Sequence, residues 1–417
     1  MLNHALLLVL IVEVIFFTYF DKKTYGNYYS PVVILSYPLL AIILLAFLFC
    51  APLGFKPIST SLLLLCNFGL LVFWFGSFFW SVIIPARVLQ RVSEKFEKPE
   101  NLVSFKLKTS LQILAWLIII FMLYSFMLTL QKYGSISASG SDGFTKEYGG
   151  QGIQGHVLGL AIPLLIFFIG ISKKRDLFTI ATIVFLVIVC FLYRVKNWLF
   201  IPILGGILIR FFYERKFRIN PFKIIIFAIL VLLLFVLSYA FTVRANENGL
   251  IFLLKHFMGY IYAGVLGFGE HINQNMPVGV DPKVLFMPFI NIYNYVTGSE
   301  VTGVVSSYHV LIDKRGLEDV NVKTFFGTIL IYGGYYIGVC YTLLLSIFFY
   351  FIWIVASLSK NYWMVVLYVF LATALALGWF DFYYNLLPFL ELPIYMIILI
   401  ILTNKKRKNF SENIFTS

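Results

Sequence analysis

A chain of 417 residues that is 61% hydrophobic and only 12% charged, with a mean hydropathy of +0.91, lies far from the composition of a water-soluble domain. Its net charge of +13 does not point to nucleic acid, because the basic residues are scattered among short loops and not gathered on one domain. The apolar residues form continuous runs long enough to cross a hydrocarbon core about 30 Å thick, not the short alternating segments of a barrel, so the expected fold class is all-α: a polytopic bundle of transmembrane helices.

Eleven candidate spans begin near Leu6, Pro31, Leu62, Leu111, His156, Phe178, Trp198, Phe222, Thr324, Trp363 and Leu386. Residues 1–20 lack a basic n-region and a small-residue cleavage site, and they read as a retained first helix. The seventh run is short and holds Pro202, Gly205 and Gly206, which predicts a kink. Cys50, Cys66, Cys190 and Cys340 fall inside apolar runs, where they act as small hydrophobes and indicate no disulfide framework. Residues 1–243 thus carry spans one to eight, 244–323 one long loop, 324–404 the last three spans, and 405–417 a basic tail.

Orientation follows from Lys and Arg, which are retained in the cytoplasm when they sit in short loops. Placing the tail inside puts 21 of the 32 Lys and Arg on cytoplasmic segments and the N-terminus outside. The loop 244–323, about 80 residues, then faces outward, and loops of that size are commonly functional. Its first part, 250–268, is apolar with Tyr260 and Tyr262 and reads as a helix at the interface or re-entering the membrane; 277–323 reads as an extracytoplasmic cap.

Neither a carboxylate-rich run nor a His pair at helical spacing occurs among His4, His156, His256, His271 and His309, so no metal centre is expected. P-loop, dinucleotide and nucleophile-elbow motifs are missing, and no cofactor is implied. What stands out is cationic residues against the positive-inside bias: Arg194 and Lys196 between spans six and seven, and Arg244 at the end of span eight. Arginine presents a rigid fork of donors suited to phosphate, and such groups at headgroup depth can clamp a pyrophosphate. The alternative is that Arg194 and Lys196 snorkel to lipid phosphates and Arg244 caps its helix. Arg315 lies in a charged run with Asp313, Lys314, Glu318 and Asp319, where local ion pairing competes with ligand binding. His309 and Asp313 are candidate bases, with Glu318, Asp319, Glu270 and Asp281 left open beside them. Glu13, inside span one, reads as an acid paired with a neighbouring helix or protonated.

In organisation the chain resembles the Wzy O-antigen polymerase family and, more distantly, the O-antigen ligases. The resemblance is sharpest where Arg194 precedes Gly205, where Arg244 ends a helix before 260–268, and where Lys323-Thr-Phe-Phe-Gly-Thr leads into Gly333, Gly334 and Gly338. The second loop does not repeat the Arg-to-Gly spacing, since Lys255 stands eleven positions after Arg244, and His309 precedes Val310 and not the Asn, Ser or Gln of the ligases. The resemblance implies a GT-C-like fold, metal-independent transfer, undecaprenyl pyrophosphate as leaving group, and a place in the bacterial inner membrane with the site on the periplasmic side. It also implies a lipid-linked oligosaccharide substrate, with a chain-length regulator and a flippase as partners. Flippases and membrane acyltransferases are the rival classes: the first more often carries inverted repeats and short loops, the second a His and an acid within a helix.

Overall fold

The computed structural model describes residues 1–92, 103–134, 141–150, 152–172, 176–193, 196–214, 249–301, 308–316, 318–359 and 361–415. In chain order the helices of six residues or more are α1 (Leu2–Tyr25), α2 (Pro31–Phe49), α3 (Thr60–Ile83), α4 (Ala86–Arg91), α5 (Phe105–Tyr133), α6 (Gly152–Ile171), α7 (Leu177–Leu192), α8 (Lys196–Glu214), α9 (Gly249–Asn273) and α10 (Met287–Thr297). A two-stranded antiparallel ribbon follows, β1 (Val310–Leu311) with β2 (Asp319–Val320), and then α11 (Phe325–Leu358), α12 (Tyr362–Ala376) and α13 (Pro388–Phe415). Helix dominates because a backbone in lipid must satisfy its hydrogen bonds within its own segment.

Six of these helices, α1, α2, α3, α5, α6 and α11, are long and apolar enough to cross a membrane, and the protein is membrane-embedded and all-α. Shorter apolar helices stand at four further expected spans, Leu177–Leu192, Trp198–Arg210, Tyr362–Ala376 and Pro388–Ile401. The expected eighth span, from Phe222, lies outside the described residues.

The chain divides into two compact units. The first holds Met1–Glu94, Leu254–Leu358 and Ala374–Glu391. Here α1 packs along α3: the Asn67 amide donates to the Leu6 carbonyl at 3.1 Å, Phe17 stacks on Trp74, and near the far end Asp21 accepts from the Ser77 hydroxyl and, at 2.6 Å, from Tyr350. Those two hydroxyls satisfy a fully buried carboxylate that has no side-chain cation among its described hydrogen-bond partners.

The second unit holds Lys95–Leu253, Ser359–Thr373 and Leu392–Ser417. Asp176 caps α7 by accepting from the Thr179 backbone at 3.1 Å and pairs with Lys108 on α5. Burial alone would raise that carboxyl, but the Lys108 ammonium and the Thr179 bonds hold it below the usual carboxylate range. Phe167 on α6 stacks on Trp363 at 4.9 Å, and Arg210 closes the end of α6 by donating to the Ile169 carbonyl at 2.9 and 3.0 Å.

One element departs from the sequence expectation. The 34 residues of α11 are not a rod: at Gly334 the backbone takes φ 69 and ψ −172, and the chain folds back on itself. Ile329 lies against Gly338, its side chain 3.4 Å from where a Cβ would stand, although nine residues in a straight helix are about 13 Å apart. The ring of Phe382 touches both Phe325 and Tyr341, and that of Tyr384 touches both Phe325 and Phe349. A short arm, 325–333, therefore runs antiparallel to a long arm, 335–358, and its first residue lies level with 341–349. Every residue of the short arm is buried in protein. The carbonyl of Ile331, freed by the reversal, accepts instead from Gly279 and Val280 at 2.7 and 3.1 Å.

Candidate functional site

The chemistry-bearing residues of the first unit gather around the root of the short arm and the ribbon before it. Ribbon and turn are organised by Asp313, whose Oδ1 accepts from the Glu318 backbone at 3.0 Å and whose Oδ2 accepts from the Arg315 backbone and the Lys255 ammonium, each at 3.3 Å. The backbone of Asp313 also bridges to Phe55. Two more pairs tie this region down: His256 Nδ1 to Glu318 at 3.0 Å, and Lys56 to Glu270 at 2.7 Å. Pairs of this kind, such as Lys255 with Asp313, whose side chains are 24% and 0% exposed, fix geometry more than they add stability.

Above that frame stand two groups with chemistry to spare. His309 Nδ1 meets Asp319 Oδ2 at 2.8 Å, and both side chains are about half exposed, 55% and 50%. A carboxylate on Nδ1 fixes the tautomer and leaves Nε2 as the outward base, an arrangement suited to accepting a proton from a hydroxyl. Lys323, only 2% exposed, sits at the N-terminal root of the short arm and donates to the Tyr308 carbonyl at 3.3 Å. Burial pushes its ammonium down to about 8, against the pull of Asp381 and Asp319.

Asp381 binds the same root. It accepts from the Thr328 hydroxyl and the Phe382 backbone, both at 2.8 Å, while the Phe325 amide donates to the Gly378 carbonyl at 2.6 Å. Burial raises its carboxyl to about 6, opposed by those hydrogen bonds and by the Lys323 charge. Beside Lys323 the fully buried His271 donates from Nε2 to the Pro277 carbonyl at 3.0 Å and meets the Tyr308 ring edge to face. Its Nδ1 is therefore the unprotonated nitrogen, buried and without a hydrogen-bond partner among the described residues. Burial holds this imidazole below its usual range, the Pro277 bond opposing and the Lys323 charge assisting. The cluster thus brings together an amine, an imidazole whose Nδ1 has no hydrogen-bond partner among the described residues, and a carboxyl.

Of the residues expected from sequence, His309 and Asp319 are brought together, and Asp313 and Glu318 are spent on the turn and its anchoring pairs. Arg315 is exposed at the turn, Glu270 pairs with Lys56, and Asp281 caps a 3₁₀ turn through the Lys283 backbone. Arg194 and Arg244 lie outside the described residues, as does the side chain of Lys196, the first residue of α8. Sequence reasoning passed over His271 and Asp381 and met Lys323 only within a motif. The available signal was a lysine opening a glycine-rich apolar run and a lone acid at 381 among aromatic residues. Among the described residues no group of three or more His, Cys, Asp or Glu is placed to hold a metal ion.

With this geometry in view, a family model described as a family of unknown function, DUF6337, matches residues 54–409. The chain belongs to that family. The DUF6337 match starts at Gly54, so it takes in Lys56, the ribbon, Lys323, the folded-back arms of α11 and Asp381. No curated protein and no solved structure matches the chain.

Proposed function

We propose that this protein is an oligosaccharide repeat unit polymerase, a metal-independent glycosyltransferase of the bacterial inner membrane that acts on the periplasmic side. In this reading the chain crosses the membrane eleven times in a GT-C-like arrangement, and the loop 244–323 faces outward. The observation that supports it best is the buried Lys323 at the N-terminal root of a folded-back half-helix, with the oriented His309–Asp319 pair on the ribbon just before it. Half-helix N-termini and buried cations are how membrane proteins hold anionic groups away from water.

A hydroxyl at the non-reducing end of one lipid-linked repeat attacks the anomeric carbon of the growing chain carried on undecaprenyl pyrophosphate. The new glycosidic bond forms as the carbon–oxygen bond to pyrophosphate breaks, with inversion, and the electron pair leaves with the pyrophosphate. His309, held by Asp319, takes the hydroxyl proton. Charge grows on the leaving group in the transition state, so preorganised cations stabilise it there most. Lys323 serves this role, with Arg194, Lys196, Arg244 and Arg315 as the further cations expected from sequence. A chain-length regulator and a flippase are the partners such an enzyme needs.

A flippase is the second reading, because broken membrane helices are frequent at transporter binding sites and α11 is one. Ligase activity delivers the same donor to a lipid A core. The banding pattern of surface polysaccharide from a strain lacking this protein separates them. Loss of the ladder with one repeat retained supports the polymerase; loss of every repeat refutes it in favour of ligase or flippase.

A further inference from the structure

We infer that α10 is an interfacial membrane helix, seated in the boundary between lipid headgroups and hydrocarbon, so that part of the loop 244–323 is a lipid-contacting element and not a cap in water. Sequence alone did not separate α10 from the rest of the cap, and the inference stands independently of the catalytic reading.

The helix is built inside out. Its sequence, Met-Pro-Phe-Ile-Asn-Ile-Tyr-Asn-Tyr-Val-Thr, carries no charge. Met287, Pro288 and Asn291 are its buried side chains, and Asn294 turns back to donate to the Glu300 carbonyl at 3.0 Å. Phe289, Ile292, Tyr293, Tyr295 and Val296 point away from the protein, with Val296 78% exposed. An amphipathic helix on a water-facing surface does the reverse, burying its aliphatic and aromatic face and leaving amides in solvent. With Asn291 buried and Phe289, Ile292, Tyr293, Tyr295 and Val296 uncovered, the face that α10 turns away from the protein is dominated by apolar and aromatic side chains. A contiguous apolar patch of this kind marks a membrane or protein contact, and uncharged Tyr-bearing helices suit the interface.

The attachment of α10 selects the membrane. The 3₁₀ turn Pro282–Phe286 leads into it, and that turn is held by the long arm of α11: Tyr341 donates its hydroxyl to the Leu285 carbonyl at 2.9 Å and its ring meets Phe286 edge to face. Tyr341 lies six residues along the arm from Tyr335, about 9 Å by helical rise. The arm's own uncovered side chains, Tyr335, Tyr336 and Ile337 before it and Leu344, Phe348 and Phe351 after it, are those of a membrane-crossing helix. The apolar face of α10 therefore departs from the side of a helix long and apolar enough to cross the membrane, about two turns from the aromatic start of the arm. Charges return only outside the helix, at Lys283 before it and Glu300 after it.

Spin labels on single cysteines test this in the full-length protein reconstituted into phosphatidylcholine vesicles. Among the four native cysteines only Cys340 is exposed, so Cys340→Ser supplies the background. Labels at Phe289→Cys and Val296→Cys are compared with one at Ser299→Cys. Collision with oxygen relative to a water-soluble nickel chelate should be several-fold higher at Phe289 and Val296 than at Ser299. If Phe289→Cys disturbs folding, Val296, which is mostly uncovered, carries the comparison alone. Chelate access at Val296 equal to that at Ser299 would place α10 in water and overturn the inference. A label at Val296 that is immobilised and shielded from both reagents would mean a protein contact, a second copy included, and would overturn it as well.

Discussion

Replacing Gly334 by alanine tests the reversal in α11 most directly. At φ 69 and ψ −172 this residue occupies a region that is essentially closed to side-chain-bearing residues, and the strain of forcing one there is about 1–3 kcal/mol. An added Cβ would also stand 3.2 Å from Gly279 Cα, tighter than an ordinary contact, and overpacking of that kind costs about 1–3 kcal/mol more. The expected loss is roughly 2–6 kcal/mol in total. Gly298→Ala is the control: its φ of 71 and ψ of 17 are ordinary left-handed helix, nothing lies within 4 Å of the added Cβ, and the expected loss is about 1–2 kcal/mol. The assay is unfolding of the detergent-solubilised full chain, followed by denaturant midpoint for wild type and both variants. A Gly334→Ala variant as stable as wild type or more so would refute the folded-back arm, since in an α11 continuous through 334 alanine is the better helix former by about 0.5–1 kcal/mol.

Lys323 carries charge below about pH 8 and loses it above, so an anion it binds should be held below that pH and released as pH rises through it. Polymerisation by purified protein should fall accordingly with a single-proton slope, Lys323→Arg should remove that alkaline fall, and Lys323→Met should slow transfer about ten- to a hundredfold at pH 7; identical alkaline profiles for wild type and Lys323→Arg would count against the role. Arg194→Lys and Arg244→Lys at equal membrane abundance should shorten ladders and slow them by about the same factor if a bidentate clamp is needed, whereas wild-type ladders would leave both as anchors. Reporter fusions should place Gly140 and Gly298 outside and Lys95, Lys174 and Lys216 in the cytoplasm, and a cytoplasmic signal at Gly298 would remove the proposed site from the periplasm.

The helices and their membrane character were legible because hydropathy acts locally: the runs from Leu6, Pro31, Leu62 and Leu111 each sit inside a helix long enough to span. The reversal at Gly334 was not, because 325–358 is apolar throughout and Gly333-Gly334 is an unremarkable pair in a membrane helix. What decides it is tertiary, the approach of 279–280 and the aromatic contacts of Phe382 and Tyr384. The same limit governs the site. His309 and Asp313 look alike as loop candidates four residues apart, and only burial and partners separate an exposed, oriented imidazole from a carboxylate committed to a turn. The Lys56–Glu270 pair joins residues 214 positions apart, a separation at which sequence pattern carries no information about contact. The inverted face of α10 required knowing which side of that helix the protein covers.

The root of the short arm imposes an order on biogenesis. Phe325 and Thr328 are completed by the Gly378 carbonyl and the Asp381 carboxylate, groups that leave the ribosome some fifty residues after the segment they hold. Until then the insertion machinery meets an unbroken apolar stretch, and the nascent chain has no partner for the amide of Phe325 or the hydroxyl of Thr328. The fold-back is thus locked after synthesis of α12, and a chain truncated ahead of Gly378 should keep the long arm in the membrane while its short arm lacks those two bonds.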